Sequence, residues 1–196
     1  MGLSFHYSGS IAQPALLPAL IDEVKDIAGI YNWKFNIYEQ LFPENTFGMP
    51  EYNQSIYGIS FTPHGCETIF ICFLSNGRMS SDAHLEFFGK TDEQPEREYL
   101  YMLSVKTQFS DVATHQFIIQ LFRYLNTKYF ANFKLTDDGG YWETNDIEIL
   151  KSNFKRNADL ISCFTSALEC IPMETGESIE NYFVRLLNLI QKRKKF

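Results

Sequence analysis

No stretch of this sequence approaches the ~20 consecutive apolar residues of a membrane-spanning helix, so a helical membrane protein is not expected. Basic residues are missing from the start: none precedes Lys25, and no small-residue cleavage site follows, so the opening segment reads as mature structure and not as a secretion signal. Gly2 is followed by His6 where a myristoylation pattern needs Ser or Thr. Cysteine is limited to Cys66, Cys72, Cys163 and Cys170, with no C-x-x-C pair. A disulfide framework or a zinc site is therefore not expected, and reduced, mostly buried thiols are. Cys163 and Cys170 fall two helical turns apart, too far to bridge. The sequence also lacks a G-x-S-x-G elbow, a phosphate loop, a dinucleotide fingerprint and an H-E-x-x-H pair, so no cofactor is expected.

Positive charge is in short supply as well: 17 Lys and Arg stand against 24 Asp and Glu, a net charge of −7. Four of those cations sit in Lys192-Arg193-Lys194-Lys195, so residues 1–191 hold 13 against 24, or −11. Such a body repels a phosphate backbone and attracts a basic protein partner, which makes nucleic acid an unexpected ligand. The terminal cations read as a complement to a helix dipole that keeps the chain end solvated.

What the sequence does hold is core material. It is 45% hydrophobic with 18 Phe and 11 Tyr, enough for one packed domain across 196 residues. Alternation at Leu3, Phe5 and Tyr7 predicts a first strand, and Leu17, Leu20, Ile21, Val24, Ala28 and Tyr31 an amphipathic helix ending near Gly29. Trp33, Phe35 and Ile37 give a second strand, Leu41 to Gln54 a loop, and Tyr57, Ile59 and Phe61 a third strand. The run from Ile69 to Leu74 reads as a central strand buried on both faces. Asn76-Gly77 then predicts a type I′ hairpin, with Leu85 and Phe87 on the returning strand and a polar linker from Gly89 to Glu98.

Tyr101, Leu103 and Val105 form another strand. Ser110-Asp111 caps a helix striped by Ile118, Leu121, Phe122, Leu125 and Tyr129, and Phe133 and Leu135 make the last strand. The two strand-helix-strand runs match in order and length, about 30 residues as in a βαβ crossover, without residue identity to support a duplication. Beyond them lie helices only: Asn145 and Glu148 form a capping box for residues through Ile171, with a break near Asn157 left open, and Ser178 caps the terminal helix. The expected fold is α+β: a mixed or antiparallel sheet of six to seven strands with two helices on one face, divided near 142/143 from a C-terminal helical segment.

The apolar faces of four strands share a polar obverse: Ser4, His6, Ser8, Lys34, Asn36, Tyr38, Ser104, Lys106, Gln108, Asn132, Lys134 and Thr136. With helices on one side only, that face meets water, either simply solvated or serving as a platform on which His6, Tyr38, Lys106 and Lys134 meet a partner. The second place for chemistry is Asp137-Asp138-Gly139-Gly140-Tyr141-Trp142-Glu143, where carboxylates and aromatics could hold a cation or a planar ligand, although Asp-Gly is an ordinary turn and the spacing is not that of a calcium loop. His6, His84 and Glu86 would make a metal site only if their strands were neighbours, and His64 beside Cys66 a nucleophilic pair only if a turn brought them into contact. With no spacing that demands catalysis, the reading is a cytoplasmic, non-catalytic protein-interaction module. A small-molecule or hydrolytic site near Asp137 to Glu143 is the alternative.

Overall fold

A computed structural model describes residues 2–91 and 93–193, so Lys194 and Lys195 of the basic run fall outside what it describes. The fold is α+β, in two compact units, Met1–Phe154 and Lys155–Phe196. The division lies inside a continuous helix, unbroken at Asn157.

In the first unit, six strands form two three-stranded antiparallel sheets instead of one sheet of six to seven. Strand β1 (Ser4–Ile11) runs between β5 (Leu103–Lys106) and β6 (Phe130–Asp137), antiparallel to both. The crossover from β5 through helix α4 (Val112–Lys128) to β6 therefore joins two parallel strands with β1 inserted between them. The other sheet orders β2 (Lys34–Ile37), β3 (Tyr57–Thr62) and β4 (Ile69–Phe73). Strand β4 is buried as its apolar run predicts, but it is an edge strand and β3 is the central one. Its edge is closed by a side chain: the buried Tyr7 hydroxyl donates to the Phe70 carbonyl at 2.9 Å and accepts from the Phe70 amide at 3.1 Å.

The missing seventh strand has a local cause. The Ser81 hydroxyl accepts the His84 amide at 3.2 Å and starts a helix, α2 (Asp82–Phe88), in which Leu85 is buried and Phe87 is 73% exposed. A strand would have turned both residues to the same side. The stretch expected to be a linker contains a further helix, α3 (Gln94–Tyr99), with proline in its first turn, where a missing amide costs nothing. The Asn76-Gly77 turn does form, but only Gly77 has positive φ (85°). Gly77 donates to the Leu74 carbonyl and Leu74 to the Arg78 carbonyl, the pattern of a type I turn with a glycine bulge. The return is brief: Met79 bridges Phe73 and Arg78 bridges Ser10, which stitches the two sheets together.

Helix α1 (Leu17–Ile30) and α4 share one core with both sheets, built on Phe5, Phe61, Phe73 and Phe122. Asp111 caps α4 by accepting the Thr114 amide at 2.6 Å. A smaller cluster around Cys72, Leu74, Leu85 and Leu100 covers the opposite side of β4. After β6, a single turn, α5 (Tyr141–Thr144), leads to α6 (Ile147–Cys170). Here Asp146, and not Asn145, receives the Glu148 amide (2.8 Å), while Asn145 takes the left-handed conformation that ends α5.

The second unit pairs the latter part of α6 with α7 (Ile179–Arg193), which Ser178 caps through the Asn181 amide at 3.2 Å. Ala167, Tyr182 and Leu186 are buried between the helices, and the Tyr182 hydroxyl donates to the Ile171 carbonyl. Cys163 and Cys170 are exposed and Cys66 is half-buried, so of the four thiols only Cys72 is buried.

Candidate functional site

Along β1 the register sets His6 between Ser104 and Thr136, Ser4 opposite Lys106, and Ser8 opposite Lys134. Phe5 and Tyr7 point into the core, so these polar partners occupy the opposite face, where His6, Ser104, Lys134 and Thr136 are exposed and Ser4, Ser8 and Lys106 are half-exposed. Alternation thus produces one polar surface from three strands far apart in sequence. Lys34, Asn36 and Tyr38 do not join it: they belong to the second sheet, where the Tyr38 hydroxyl donates to Asp82 at 3.2 Å and burial pushes that phenol up.

The face is cationic in an acidic chain. Lys106 and Lys134 have no ion-pair partner among the described residues, and neither does Arg78, which the hairpin return delivers beside β1. Asp138 lies at the far end, accepting the Ser4 amide at 3.2 Å, and Glu67 accepts the Lys106 amide at 2.9 Å. The net charge favours a basic partner for the surface as a whole; this face has the opposite sign. Arg78 and Tyr101 were not visible as site residues, since one sits in a turn signature and the other in a strand pattern.

The loop from Asp137 to Glu143 turns its polar groups inward. Asp137 Oδ1 accepts the Gly139 amide (2.7 Å) and His115 Nε2 (3.1 Å), while Oδ2 accepts the amides of Tyr141 (2.8 Å) and Trp142 (3.1 Å). Glu143 accepts the Asp137 amide at 3.0 Å. Burial alone would raise the Asp137 carboxyl; the His115 hydrogen bond and the Gly139 and Trp142 amides outweigh it and hold the group below the usual carboxylate range. The buried Tyr141 receives Gln116 on its hydroxyl at 2.8 Å. Trp142 is half-buried edge-on to Phe133, and Arg123 closes the turn by donating to the carbonyls of Tyr141 and Trp142.

Thr107 Oγ1 lies 2.7 Å from His115 Nδ1, so Thr107, His115 and Asp137 form a hydroxyl-imidazole-carboxylate chain. Its composition is that of a hydrolytic triad, but Thr107 and His115 are wholly buried and Asp137 is 6% exposed, which leaves no room for a substrate at the hydroxyl. His115 continues the α4 stripe at 115, 118, 122 and 125, the one sequence signal that places an imidazole in the core.

The remaining candidates stay apart. His84 is on α2 with its Nδ1 2.7 Å from Ser81 Oγ, burial lowers its pKa, and His6 lies on the first sheet. Glu86 shares α2 with His84, and among the described residues no three His, Cys, Asp or Glu side chains gather as metal ligands would. His64 is exposed, and burial pushes the Cys66 thiol up, against the thiolate a nucleophile needs. No described helix is long and apolar enough to cross a membrane. No family model matches the chain, no curated protein matches its sequence, and no solved structure matches its fold.

Proposed function

We propose that the chain is a non-catalytic protein-interaction module whose contact surface is the open face of the β5-β1-β6 sheet. One observation carries the reading: a row of exposed polar side chains, Ser104, His6 and Thr136, flanked by Lys106 and Lys134, which have no ion-pair partner among the described residues, on a face whose obverse forms the core. Polar groups that make no internal bonds add nothing to stability, and a flat sheet face can meet a partner without refolding. The buried Thr107-His115-Asp137 chain and the raised Cys66 thiol support the non-catalytic part. A cytoplasmic setting fits the exposed thiols of Cys163 and Cys170, which a reducing compartment keeps free.

The test compares the full chain with a variant carrying His6→Glu, Ser104→Glu and Thr136→Glu, both immobilised against a native lysate at low and high salt. The reading expects proteins that bind the natural chain at low ionic strength and are lost from the variant. Identical capture by both chains, or no specific capture by the natural one, refutes it.

A further inference from the structure

At the end of β1 away from Ser4 and Asp138 the same face is not flat. The β1-β6 register shifts between Ser8 and Ser10, opposite Asn132, which takes the left-handed conformation (φ 52°). This bulge opens a groove of about 310 Å³ lined by Ser8, Gly9, Ser10, Asn132 and Lys134, with Arg78 and Tyr101 on the other wall. Gly9 allows β6 to approach closely at the bulge, because a Cβ there would stand 3.0 Å from Phe133 Cα. Strand β5 stops short of this point, and the hairpin return replaces it: the Met79 amide donates to the Gly9 carbonyl at 2.8 Å, which fixes Arg78 across from Ser10.

Resting on the reading above, we propose that this groove binds a phosphorylated side chain of the protein partner, held between Arg78 and Lys134. Arg78 stacks its guanidinium on Tyr101, with the carbon 3.2 Å from the ring centroid. Stacking uses the face of the guanidinium and leaves its in-plane N–H edges free, and none of those donors has a partner among the described residues. The arginine is thus oriented before any ligand arrives. Across the groove Lys134 is exposed beside the Ser8 hydroxyl, and no carboxylate lines the walls.

Two cations and a hydroxyl around one small cavity match a phosphoryl group, which carries close to two negative charges and three acceptor oxygens; a carboxylate would answer one cation only. A nucleic acid is disfavoured for the reason that makes the groove distinctive. A polyphosphate would have to run on across a chain of net charge −7, whereas a single phosphoryl group feels mainly charges within a screening length of about 10 Å. The adjoining Ser104-His6-Thr136 row provides surface for flanking peptide.

The experiment follows backbone amide shifts of the full chain during titration with a blocked, glycine-flanked phosphoserine peptide, its serine and glutamate counterparts, and oligothymidylate. Saturable shifts are expected at Ser8 to Ser10 and Asn132 to Lys134 with the phosphopeptide, and binding about tenfold weaker with the glutamate peptide. Arg78→Gln and Lys134→Gln should each weaken binding about tenfold, and Arg78→Lys should weaken it too by losing the planar edge. Absence of shifts, shifts unchanged in both Gln variants, or tighter binding of the oligonucleotide at these amides overturns the proposal. Both side chains are exposed, and superposable spectra away from the groove verify the fold of each variant. Capture of a lysate partner that survives Arg78→Gln and Lys134→Gln but not the His6, Ser104 and Thr136 substitutions would overturn the phosphoryl site alone. Phosphopeptide binding without face-dependent capture would overturn the interaction reading alone.

Discussion

Asp137→Asn tests whether the turn after β6 is held by its own carboxylate or left available to a ligand. The carboxylate accepts four hydrogen bonds, two on each oxygen, and an asparagine can replace only one of those oxygens. The least costly arrangement keeps oxygen toward the Tyr141 and Trp142 amides and places the NH2 toward Gly139 and His115. His115 can then adapt by moving its proton to Nδ1 and donating to Thr107. The Gly139 amide cannot adapt, so one buried N–H faces another donor, at about 1–3 kcal/mol. The bonds to Tyr141 and Trp142 also lose their charge assistance, about 1 kcal/mol each. Together the loss is about 3–5 kcal/mol, or a fall of about 10 °C in Tm for a unit of this size. Trp33 and Trp142 are the only tryptophans and both belong to the Met1–Phe154 unit, so selectively excited tryptophan fluorescence during thermal unfolding reports on that unit alone. Asp138→Asn, at an exposed neighbour, is the control and should stay within about 0.5 kcal/mol. A Tm within about 2 °C of the natural chain would refute the reasoning and return the loop to the list of ligand sites.

Tyr7→Phe should cost about 2–4 kcal/mol by urea unfolding, because it strips both the amide and the carbonyl of Phe70 of their partner inside the core; a loss below about 0.5 kcal/mol would mean that water reaches this strand edge. Gly58→Ala should abolish soluble expression or native amide dispersion, since Gly58 has φ 130° and a Cβ there would lie 2.3 Å from the Ile71 carbonyl oxygen, which cannot move without breaking the β3-β4 ladder. The acid response follows from Asp137, whose folded pKa lies below its unfolded value: its contribution is complete above the unfolded pKa of about 4 and is lost as pH falls through the lower folded value. Tm should therefore decline below about pH 4, and Asp137→Asn should flatten that decline; equal slopes would assign it to other carboxyls such as Asp111.

Elements whose signals are local were legible in the sequence. Asp111 and Ser178 do cap helices, and the stripe at 118, 122 and 125 does face the core, because caps and helical periodicity depend on neighbours three and four residues away. The errors arise where a local pattern has two solutions. Leu85 and Phe87 alternate as a strand would, yet a single buried residue satisfies a short helix equally well once Ser81 caps it. Strand pairing is nonlocal, and nothing in the composition of β4 says that a tyrosine hydroxyl, 63 residues earlier, will close its edge. The cap of α6 moved by one residue for a comparable reason: Asn145 tolerates positive φ, so it ends α5 and leaves capping to Asp146.

The sign of the open sheet face was hidden for a different reason. Net charge sums over a whole surface, but a docking site feels the charges within a screening length, and those are chosen by topology. Lys106 and Lys134 are brought to one face because β1 lies between β5 and β6, and Arg78 joins them because the Gly77 bulge gives the hairpin so short a return that it pairs with Ser10. Had β6 paired one residue out of register, Lys134 would point into the core and Leu135 into water, a change that the burial of Leu135 forbids. The hydrophobic pattern therefore does constrain the polar site: by fixing which residues go inward, the core decides which cations share the outward face. An acidic protein thus comes to hold a locally cationic groove.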